Sequence, residues 1–285
     1  MKRVLIQGIE GCFHDVAARQ YFAGEDIEVV PVETFSGMVE QIAADPSLIG
    51  VIAIENTIAG SLLQNHELIH RHGLLITGEY KMRISHSLAA LPGQTLDDIT
   101  EVNSHPIALM QCEEFLRQHP RMRMIEKFDT AGSAREIAEH RLDGHAAICS
   151  VFAARIYGLN VLREGIETNK RNFTRFLVVT HPEGAGSAAK AGANADGKPD
   201  KASIVFTLPH TQGALSKVLT ILAFYDINLT KIQSFPIIGR EWEYKFYIDL
   251  AFDRRERYLQ ALEAARPLTS GFKILGEYIS CKNQI

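Results

Sequence analysis

Four polar clusters in this sequence lie at the ends of predicted strands, three after a strand and the fourth leading into one, and their side chains could together bind a small anionic molecule. They are Gly8-Ile9-Glu10-Gly11-Cys12-Phe13-His14, Glu55-Asn56-Thr57 with Gly60, Asn103-Ser104-His105-Pro106 with Gln111, and Asn169-Lys170-Arg171-Asn172-Phe173-Thr174-Arg175-Phe176. Side-chain amides orient carboxylates and hydroxyls, and helix N-termini and basic side chains attract negative charge. In open α/β sheets, ligands bind beyond the carboxyl ends of the strands, so the turns after strands are the places to look for a site.

Each cluster also has a structural explanation. The two glycines of the first suit an ordinary strand-to-helix turn as well as a turn that receives an anion. Asn56 and Thr57 fit a helix cap, and Ser104 fits the start of a capped surface helix. A strand threonine such as Thr174 is usually present only because it favours β-structure. Taken singly, therefore, no cluster establishes a function.

Composition narrows the class of protein. The chain has 285 residues, of which 46% are hydrophobic and 22% charged, and its formal net charge is −4. This length predicts about two globular domains, and the acidic balance argues against a general nucleic-acid surface. Against that background the basic cluster Lys170–Arg175 is a local exception, suited to holding a small dianion.

Several sequence signals are missing. The N-terminal apolar run is too short for a signal peptide, and no stretch is long and apolar enough for a membrane helix. The four cysteines contain no Cys-x-x-Cys pair, which favours a reduced, cytoplasmic setting. Dinucleotide, P-loop and zinc-protease motifs are absent. We therefore expect that an enzyme of this sequence works without a redox cofactor or metal.

The elements that would position the clusters fall on either side of residues 181–200. Thirteen of these twenty residues are Ala, Gly, Ser or Pro, which predicts a flexible linker. Before it, strands alternate with helices, so we expect parallel sheets covered by helices. The predicted strands are Arg3–Gln7, Ile27–Val32, Gly50–Ile54, Leu74–Gly78, Arg83–Leu91, Thr100–Asn103, Met122–Lys127, Ala146–Ser150 and Phe176–Thr180. The predicted helices are Phe13–Phe22, Phe35–Ala44, Ser61–Arg71, Ile107–Arg117, Ala131–Glu139 and Val151–Tyr157.

The tail, residues 201–285, shows a different order. Strand-like and helix-like segments follow one another as βαββαβ, the order of the ferredoxin-like split motif. The segments are Ala202–Leu208, Gly213–Phe224, Asn228–Phe235, Glu241–Phe252, Arg254–Ala265 and Phe272–Ser280.

The four clusters in this order resemble prephenate dehydratase across residues 1 to about 180. Thr130-Ala131-Gly132-Ser133-Ala134 and Tyr157-Gly158-Leu159 add to the match, and Asn172-Phe173-Thr174-Arg175-Phe176 is its most specific part. The tail resembles an ACT regulatory domain, in which Gly213-Ala214-Leu215 matches the effector-binding turn. The resemblance implies an α/β fold. It also implies a two-lobed, periplasmic-binding-protein-like catalytic domain over 1–180, with its second lobe at roughly 80–160, and a ferredoxin-like ACT domain over 201–285.

The same resemblance implies an activity. Prephenate loses water and carbon dioxide to give phenylpyruvate, on the route to L-phenylalanine, and no cofactor is required because aromatisation drives the reaction. Thr174 and Arg175 are the implied catalytic residues. The implied substrate-binding residues are Asn56, Glu55, Ser104, Gln111, Thr57 and Phe176. L-phenylalanine is the implied effector, at Gly213, Ala214, Leu215 and Ser234, and the family assembles as homodimers or homotetramers.

The sequence departs from the family's pattern in two motifs, and two alternative functions are also considered. Cys12 and His14 replace hydroxyl residues of the family's first turn, and His14 could add a titratable group near the substrate. Gln233 and Phe235 replace the charged residues of the family's effector motif, which removes a potential ion pair from it and weakens the case for feedback. Arogenate, the aminated form of prephenate, is an alternative substrate. A non-catalytic amino-acid or solute-binding protein is the alternative outside enzymes.

Overall fold

Three β-sheets organise residues 1–188, 197–237, 239–240 and 243–281, the part of the chain that this computed structural model describes. The strands are β1 (Lys2–Gln7), β2 (Ile27–Val32), β3 (Leu48–Asn56), β4 (Gly60–Ser61), β5 (Leu75–Arg83), β6 (Ser87–Ala90), β7 (Glu101–Ser104), β8 (Arg123–Glu126), β9 (His145–Cys149), β10 (Asn160–Glu164), β11 (Phe173–Thr180), β12 (Lys201–Thr207), β13 (Asn228–Pro236), β14 (Tyr244–Ala251) and β15 (Ser270–Tyr278). The α-helices are α1 (Phe13–Tyr21), α2 (Phe35–Ala44), α3 (Leu63–Arg71), α4 (Pro106–Gln111), α5 (Glu113–Arg117), α6 (Thr130–His140), α7 (Val151–Ile156), α8 (Ala185–Ala188), α9 (Ala214–Phe224) and α10 (Arg255–Ala265).

The first sheet has the strand order β2-β1-β3-β11-β5, with β4 paired to β3. β1 and β2 are parallel, as the alternation of strands and helices predicts. The first seven residues of β3 are all buried, which is the pattern of a strand covered on both faces. β3 and β11 are neighbours in this sheet, so the polar ends of their sequences, Glu55-Asn56-Thr57 and Asn172-Phe173-Thr174, come together.

The second sheet has the order β10-β6-β9-β7-β8 and is mixed rather than parallel. β7 runs parallel to β8 and β9, whereas β6 is antiparallel to β9 and β10. The prediction of parallel sheets is therefore wrong for β6. The expectation rested on strands separated by helices, and β6 follows β5 without one. The single strand predicted over Arg83–Leu91 is divided at Ile84–His86, and both ends of this connection lie at the cavity described below.

One predicted helix is divided as well. The segment predicted as Ile107–Arg117 forms α4 and α5, with a break at the fully buried Cys112. The side chain of His105 accepts a hydrogen bond from the backbone N–H of Ile107, and Pro106 is the first residue of α4. This start fixes where Gln111 lies, one and a half turns further along.

The tail forms the predicted βαββαβ sheet. Its four strands are antiparallel in the order β13-β14-β12-β15. Alternate residues of β12 (Ala202, Ile204 and Phe206) pack with α9 and α10 in one buried cluster, as the two-residue period of a strand requires. An α/β part with two sheets followed by a ferredoxin-like, ACT-type sheet is thus confirmed.

The other face of β12 carries a buried ion pair. The Lys201 ammonium lies 2.8 Å from the Glu79 carboxylate, and both side chains are almost fully buried. The backbone N–H of Cys281 also donates to Glu79. Nearby, a Cβ atom at Gly276 would lie 2.0 Å from the carbonyl oxygen of Ile76, so only glycine fits there.

Contacts divide the chain into two compact units. The first contains Met1–Met38, Gly50–Leu62 and Lys81–Phe176, and the second contains Val39–Ile49, Leu63–Tyr80 and Leu177–Ile285. Part of the predicted linker is regular structure, since Pro182–Gly184 form a 3-10 turn and α8 follows it directly. A Cβ atom at Gly184 would lie 2.0 Å from the carbonyl oxygen of Pro46, which explains the glycine. Residues 189–196 of the predicted linker lie outside the described residues.

Candidate active site

A cavity of about 260 Å³ lies within the first compact unit. Residues at the ends of β1, β3 and β11 line this cavity, together with residues of the segments that follow β7 and β8. The lining residues are Gln7, Cys12, Phe13, His14, Ala53, Asn56, Ala59, Gly60, Leu62, Ile84, His86, His105, Ile107, Ala108, Gln111, Asp129, Thr130, Thr174 and Phe176.

Thr174 and Phe176 reach this cavity because they alternate along β11. Arg175, between them, does not line the cavity, as expected for a residue on the opposite face of the strand. Its buried guanidinium lies 3.4 Å from the carboxylate of Glu55, which is also off the cavity wall. The structure thus separates Arg175 and Glu55 from Thr174 and places them beside each other.

A network of amides fixes the orientation of Asn56. Its Oδ1 accepts hydrogen bonds from the backbone N–H groups of Ile58 and Ala59, at 2.9 and 2.8 Å. A backbone N–H can only donate, so the Nδ2 group must face the other way. There it donates to the side-chain oxygens of Asn172 (2.8 Å) and Thr174 (2.9 Å).

This orientation determines how Thr174 can act. Its Oγ1 accepts from Asn56, so the hydroxyl proton points elsewhere. Within the described ranges no side chain or carbonyl accepts that proton, and Thr174 is only 9% exposed. The hydroxyl is therefore held as a hydrogen-bond donor at the wall of the cavity.

Gln111 extends this hydrogen-bond network, together with Asn172 and His86, neither of which was predicted to be a site residue. Asn172 Nδ2 donates to Gln111 Oε1 at 2.9 Å, and His86 Nε2 lies 2.8 Å from the same oxygen. Gln111 Nε2 faces Asn56 Oδ1 at 3.4 Å. Because Gln111 Oε1 can only accept, His86 must carry its proton on Nε2. Asn172 lay within the fourth cluster, but His86 lay in a run predicted as a strand and carried no motif.

His86 is a neutral donor in this arrangement. Its ring is 2% exposed, and its Nδ1 has no hydrogen-bond partner among the described residues. Burial is the main cause of a lowered pKa for His86, because a second ring proton would lack an acceptor and water. His86 thus orients Gln111 through its Nε2–H group.

Cys12 and His14, the two departures in the first turn, are both buried at the cavity wall. Burial raises the pKa of the Cys12 thiol to about 12, so this side chain is a thiol and not a nucleophilic thiolate. Burial lowers the pKa of His14 to about 4, and its Nε2 accepts from the backbone N–H of Ala53 at 3.3 Å. His14 therefore stays neutral between pH 5 and 8, which corrects the expectation that it adds a titratable group near the substrate.

Acid is expected to destabilise the fold through His14. Its pKa is 6.5 when unfolded and about 4 when folded, so the free energy of unfolding falls as the pH drops from 6.5 towards 4. The loss attributable to His14 is about 3 kcal/mol by the end of that window and is zero above it. Urea midpoints at pH 7.5 and 5 measure it. His14→Gln, which keeps an acceptor for Ala53, should show a smaller drop, and an equal drop would contradict this assignment.

Ser104 does not lie on the cavity wall. It is fully buried, and its hydroxyl donates to the carbonyl of Ile148 at 2.7 Å, which ties β7 to β9. We expect Ser104→Ala to lower the free energy of unfolding by about 1–3 kcal/mol, because a buried acceptor is left unpaired, and to change kcat less than threefold. Urea unfolding and steady-state kinetics check this. A large loss of kcat at unchanged stability would instead support the prediction that Ser104 binds the substrate.

Thr57 also has a structural position. Its hydroxyl donates to the carbonyl of Arg171 at 3.0 Å and accepts from the backbone N–H of Phe173 at 2.9 Å. These bonds tie the end of β3 to the segment that leads into β11. Thr57 thus places Thr174 indirectly and does not line the cavity.

The basic cluster is not a wall of this cavity. Lys170 donates to the carbonyl of Glu167 at 2.7 Å, and neither it nor Arg171 is a lining residue. Among the described residues that line the cavity, none is Lys or Arg, and Asp129 is the one carboxylate. The interpretation of Lys170–Arg175 as the device that holds a dianion therefore stays a prediction, to which the lining of this cavity adds no support.

The residues implied in effector binding lie in the tail. Gly213 precedes α9 with φ +77°, a left-handed conformation that favours glycine. Ala214 and Leu215 are half-buried in the first turn of α9, and Ser234 is exposed on β13, opposite Phe246 of β14. Gln233 and Phe235 flank Ser234 on this strand.

Two other kinds of site are absent from the described residues. Nowhere in these ranges do three or more His, Cys, Asp or Glu side chains gather as metal ligands. Within the same ranges, none of the helices has the length and apolar character needed to cross a membrane.

Comparison with known proteins gives consistent matches. The family described as "Prephenate dehydratase" matches residues 4–184. Arogenate dehydratase 2 from Petunia hybrida is 36% identical over 98% of this chain and 72% of its own length. A prephenate dehydratase from Arthrobacter aurescens, solved in complex with L-Phe, superposes with a TM-score of 0.84 at 28% identity, covering 97% of this chain and 89% of that one. A protein described as GqqA, a novel type of quorum quenching acylase, has a TM-score of 0.85 at 28% identity, with 98% of both chains covered.

Proposed function

The chain belongs to the prephenate dehydratase family, and from this premise we propose that its cavity converts prephenate to phenylpyruvate, with loss of water and carbon dioxide. The observation that carries the proposal is the hydroxyl of Thr174, which Asn56 holds as a donor at the cavity wall. The family match shows that the chain is a dehydratase, which is a lyase. The Thr174 hydroxyl suits this reaction because it can donate a hydrogen bond to the ring hydroxyl, the group that leaves.

The reaction needs little from the protein beyond placement and a donor. The C–O bond to the ring hydroxyl breaks, the C–C bond to the ring carboxylate breaks, and the freed electron pair completes the aromatic ring. The departing oxygen takes up one proton and leaves as water. Thr174 would donate a hydrogen bond to that oxygen as negative charge develops, a contribution of about 10²–10⁴-fold in rate. Fixed donors in a water-poor cavity stabilise such charge better than water does.

Asn56 and Gln111 would act with Thr174. Asn56 sets the direction of the threonine hydroxyl, and Gln111 holds Asn56 from the far side. Phe176 offers an apolar surface beside the ring of His14, with ring centroids 5.2 Å apart. Arg175 would support the site through Glu55 rather than by touching substrate.

Arogenate is the second candidate substrate, and two observations favour it. The Petunia relative is named an arogenate dehydratase, and no Lys or Arg is found among the described lining residues. Arogenate carries one positive charge more than prephenate. An acylase reaction is less well supported, because the Cys12 thiol is protonated and the Thr174 oxygen accepts from an amide instead of donating to a base.

We also propose feedback regulation, a homodimeric or homotetrameric assembly and a cytoplasmic location. L-phenylalanine would bind at Gly213, Ala214, Leu215 and Ser234 of the ACT domain, residues 201–285. The Arthrobacter aurescens relative solved in complex with L-Phe supports an effector of this kind. Calorimetry with L-phenylalanine, together with assays at the same concentrations, tests it, and binding without any change in activity would contradict regulation.

One assay tests the catalytic proposal. Purified protein is incubated with prephenate and, separately, with arogenate, and phenylpyruvate or phenylalanine is followed. Product from prephenate supports the main proposal, and product from arogenate alone supports the second candidate. Product from neither would reject both and leave a binding protein.

A further inference from the structure

The charge of the side chains that line the cavity is unexpected for an enzyme whose substrate carries two negative charges. Its charged lining residue, within the part of the chain that the structure describes, is Asp129, an acid. Burial lowers the pKa of two lining histidines, His14 and His86. Among the described lining residues, a dianion would therefore meet one carboxylate and no Lys or Arg side chain.

One carboxylate oxygen of Asp129 already has a structural role. It caps α6, where Oδ1 accepts from the backbone N–H of Gly132 at 2.7 Å. The other oxygen, Oδ2, lies on the side of the first turn, 3.7 Å from the position that a Cβ atom would take at Gly8. The cap therefore explains why a residue with an acceptor is present, but a neutral asparagine would cap equally well.

The surroundings of Asp129 leave its charge without an ionic partner. No Lys, Arg or His nitrogen within the described ranges forms an ion pair with it. Arg135 and His105 are near enough to lower its pKa slightly, as do the amides of Gly132 and Ala131, but burial outweighs them and the pKa is raised overall. A bound ammonium would supply the missing partner.

We propose that Asp129 is the specificity-determining residue of the cavity, and that it binds the α-ammonium group of an aminated substrate. This inference rests on the proposed dehydratase function and builds on its second candidate substrate: it assigns a preference for the amino-acid form, arogenate, over the keto acid, prephenate, which the cavity also converts. Prephenate carries two negative charges and offers Asp129 only a keto oxygen, which like the carboxylate is an acceptor. Arogenate has a net charge of −1 and offers three N–H donors at the equivalent position.

Asp129 and Thr174 are placed so that each can contact a different part of the substrate. Thr174 belongs to β11 of the first sheet, whereas Asp129 follows β8 of the second sheet, and both line the same cavity. A substrate that fills the cavity can therefore present its ring hydroxyl to Thr174 and its amino-acid side chain to Asp129.

The test compares kcat/KM for arogenate and prephenate in the wild type and in Asp129→Asn. The wild type should prefer arogenate. Asp129→Asn should lower kcat/KM for arogenate by about 10- to 100-fold, the usual value of a charge-assisted hydrogen bond, and leave kcat/KM for prephenate unchanged or higher. Asp97→Asn, which removes an exposed carboxylate that does not line the cavity, is the matched control and should change neither value.

The outcomes are distinguishable. An unchanged arogenate-to-prephenate ratio in Asp129→Asn overturns the inference and leaves the dehydratase function standing. A wild type inactive on both compounds rejects the function, and calorimetric Kd values for the two compounds then decide about Asp129. If Asp129→Asn does not fold, Asp129→Ser retains a capping oxygen, and the same ratio is measured on that variant.

Discussion

Replacing Thr174 by alanine is expected to lower kcat by about 10² or more while the fold remains intact. The hydroxyl is the donor that Asn56 holds at the cavity wall, and its removal takes away the group that stabilises the departing oxygen. The loss should appear in kcat more than in KM, because this hydrogen bond strengthens as charge develops in the transition state. Steady-state kinetics with the preferred substrate, and circular dichroism of the variant, measure both parts.

Two variants sharpen this expectation. Thr174→Ser keeps the hydroxyl and should retain most of the activity, whereas Thr174→Val keeps the shape without the hydroxyl and should resemble alanine. A near-normal kcat for the valine variant would remove Thr174 from the mechanism.

Replacing Asn56 by aspartate is expected to lower kcat by a comparable factor, about 10². One carboxylate oxygen can still accept from Ile58 and Ala59, but the other replaces the amide donor that faces Thr174. The threonine hydroxyl would then donate to the introduced carboxylate instead of to the substrate. The two side chains have nearly the same size, so the variant changes the direction of hydrogen bonds and little else.

Glu55→Gln is the matched comparison, since Glu55 is adjacent but does not line the cavity. It removes a charge next to Arg175 and should change kcat only a few-fold. Equal losses in the two variants would mean that general disturbance of β3, and not the hydrogen bonds to Thr174, explains the effect of Asn56→Asp. Kinetics and urea midpoints for both proteins decide between these possibilities.

Much of the fold follows from local patterns. Ile27–Val32 and Phe35–Ala44 have the predicted bounds, because alternating or continuous apolar residues and helical periodicity were clear there. The errors lie where tertiary contacts decide. Cys112 breaks a predicted helix at a buried position, and β10 and the two-residue β4 owe their form to the strands they pair with.

The candidate site divides in the same way. Asn56, Gln111, Thr174 and Phe176 lie on the cavity wall, and each belongs to a motif that the sequence displays. Ser104 and Arg175 belong to the same motifs but lie elsewhere, because the face that a strand residue presents depends on its partners and not on its motif. His86 could not be found from sequence, since its importance comes from the 2.8 Å contact with Gln111, a residue 25 positions away.

The buried pair of Lys201 and Glu79 limits how this protein can be dissected. The composition of residues 181–200 makes this segment the obvious place to truncate the chain in order to obtain an isolated catalytic fragment. Such a fragment would keep the Glu79 carboxylate without its ammonium partner, a loss that destabilises proteins by about 3–5 kcal/mol. It would also uncover the Ile76 backbone that Gly276 covers. Insensitivity to an effector in a truncated enzyme would therefore need to be separated from simple loss of stability.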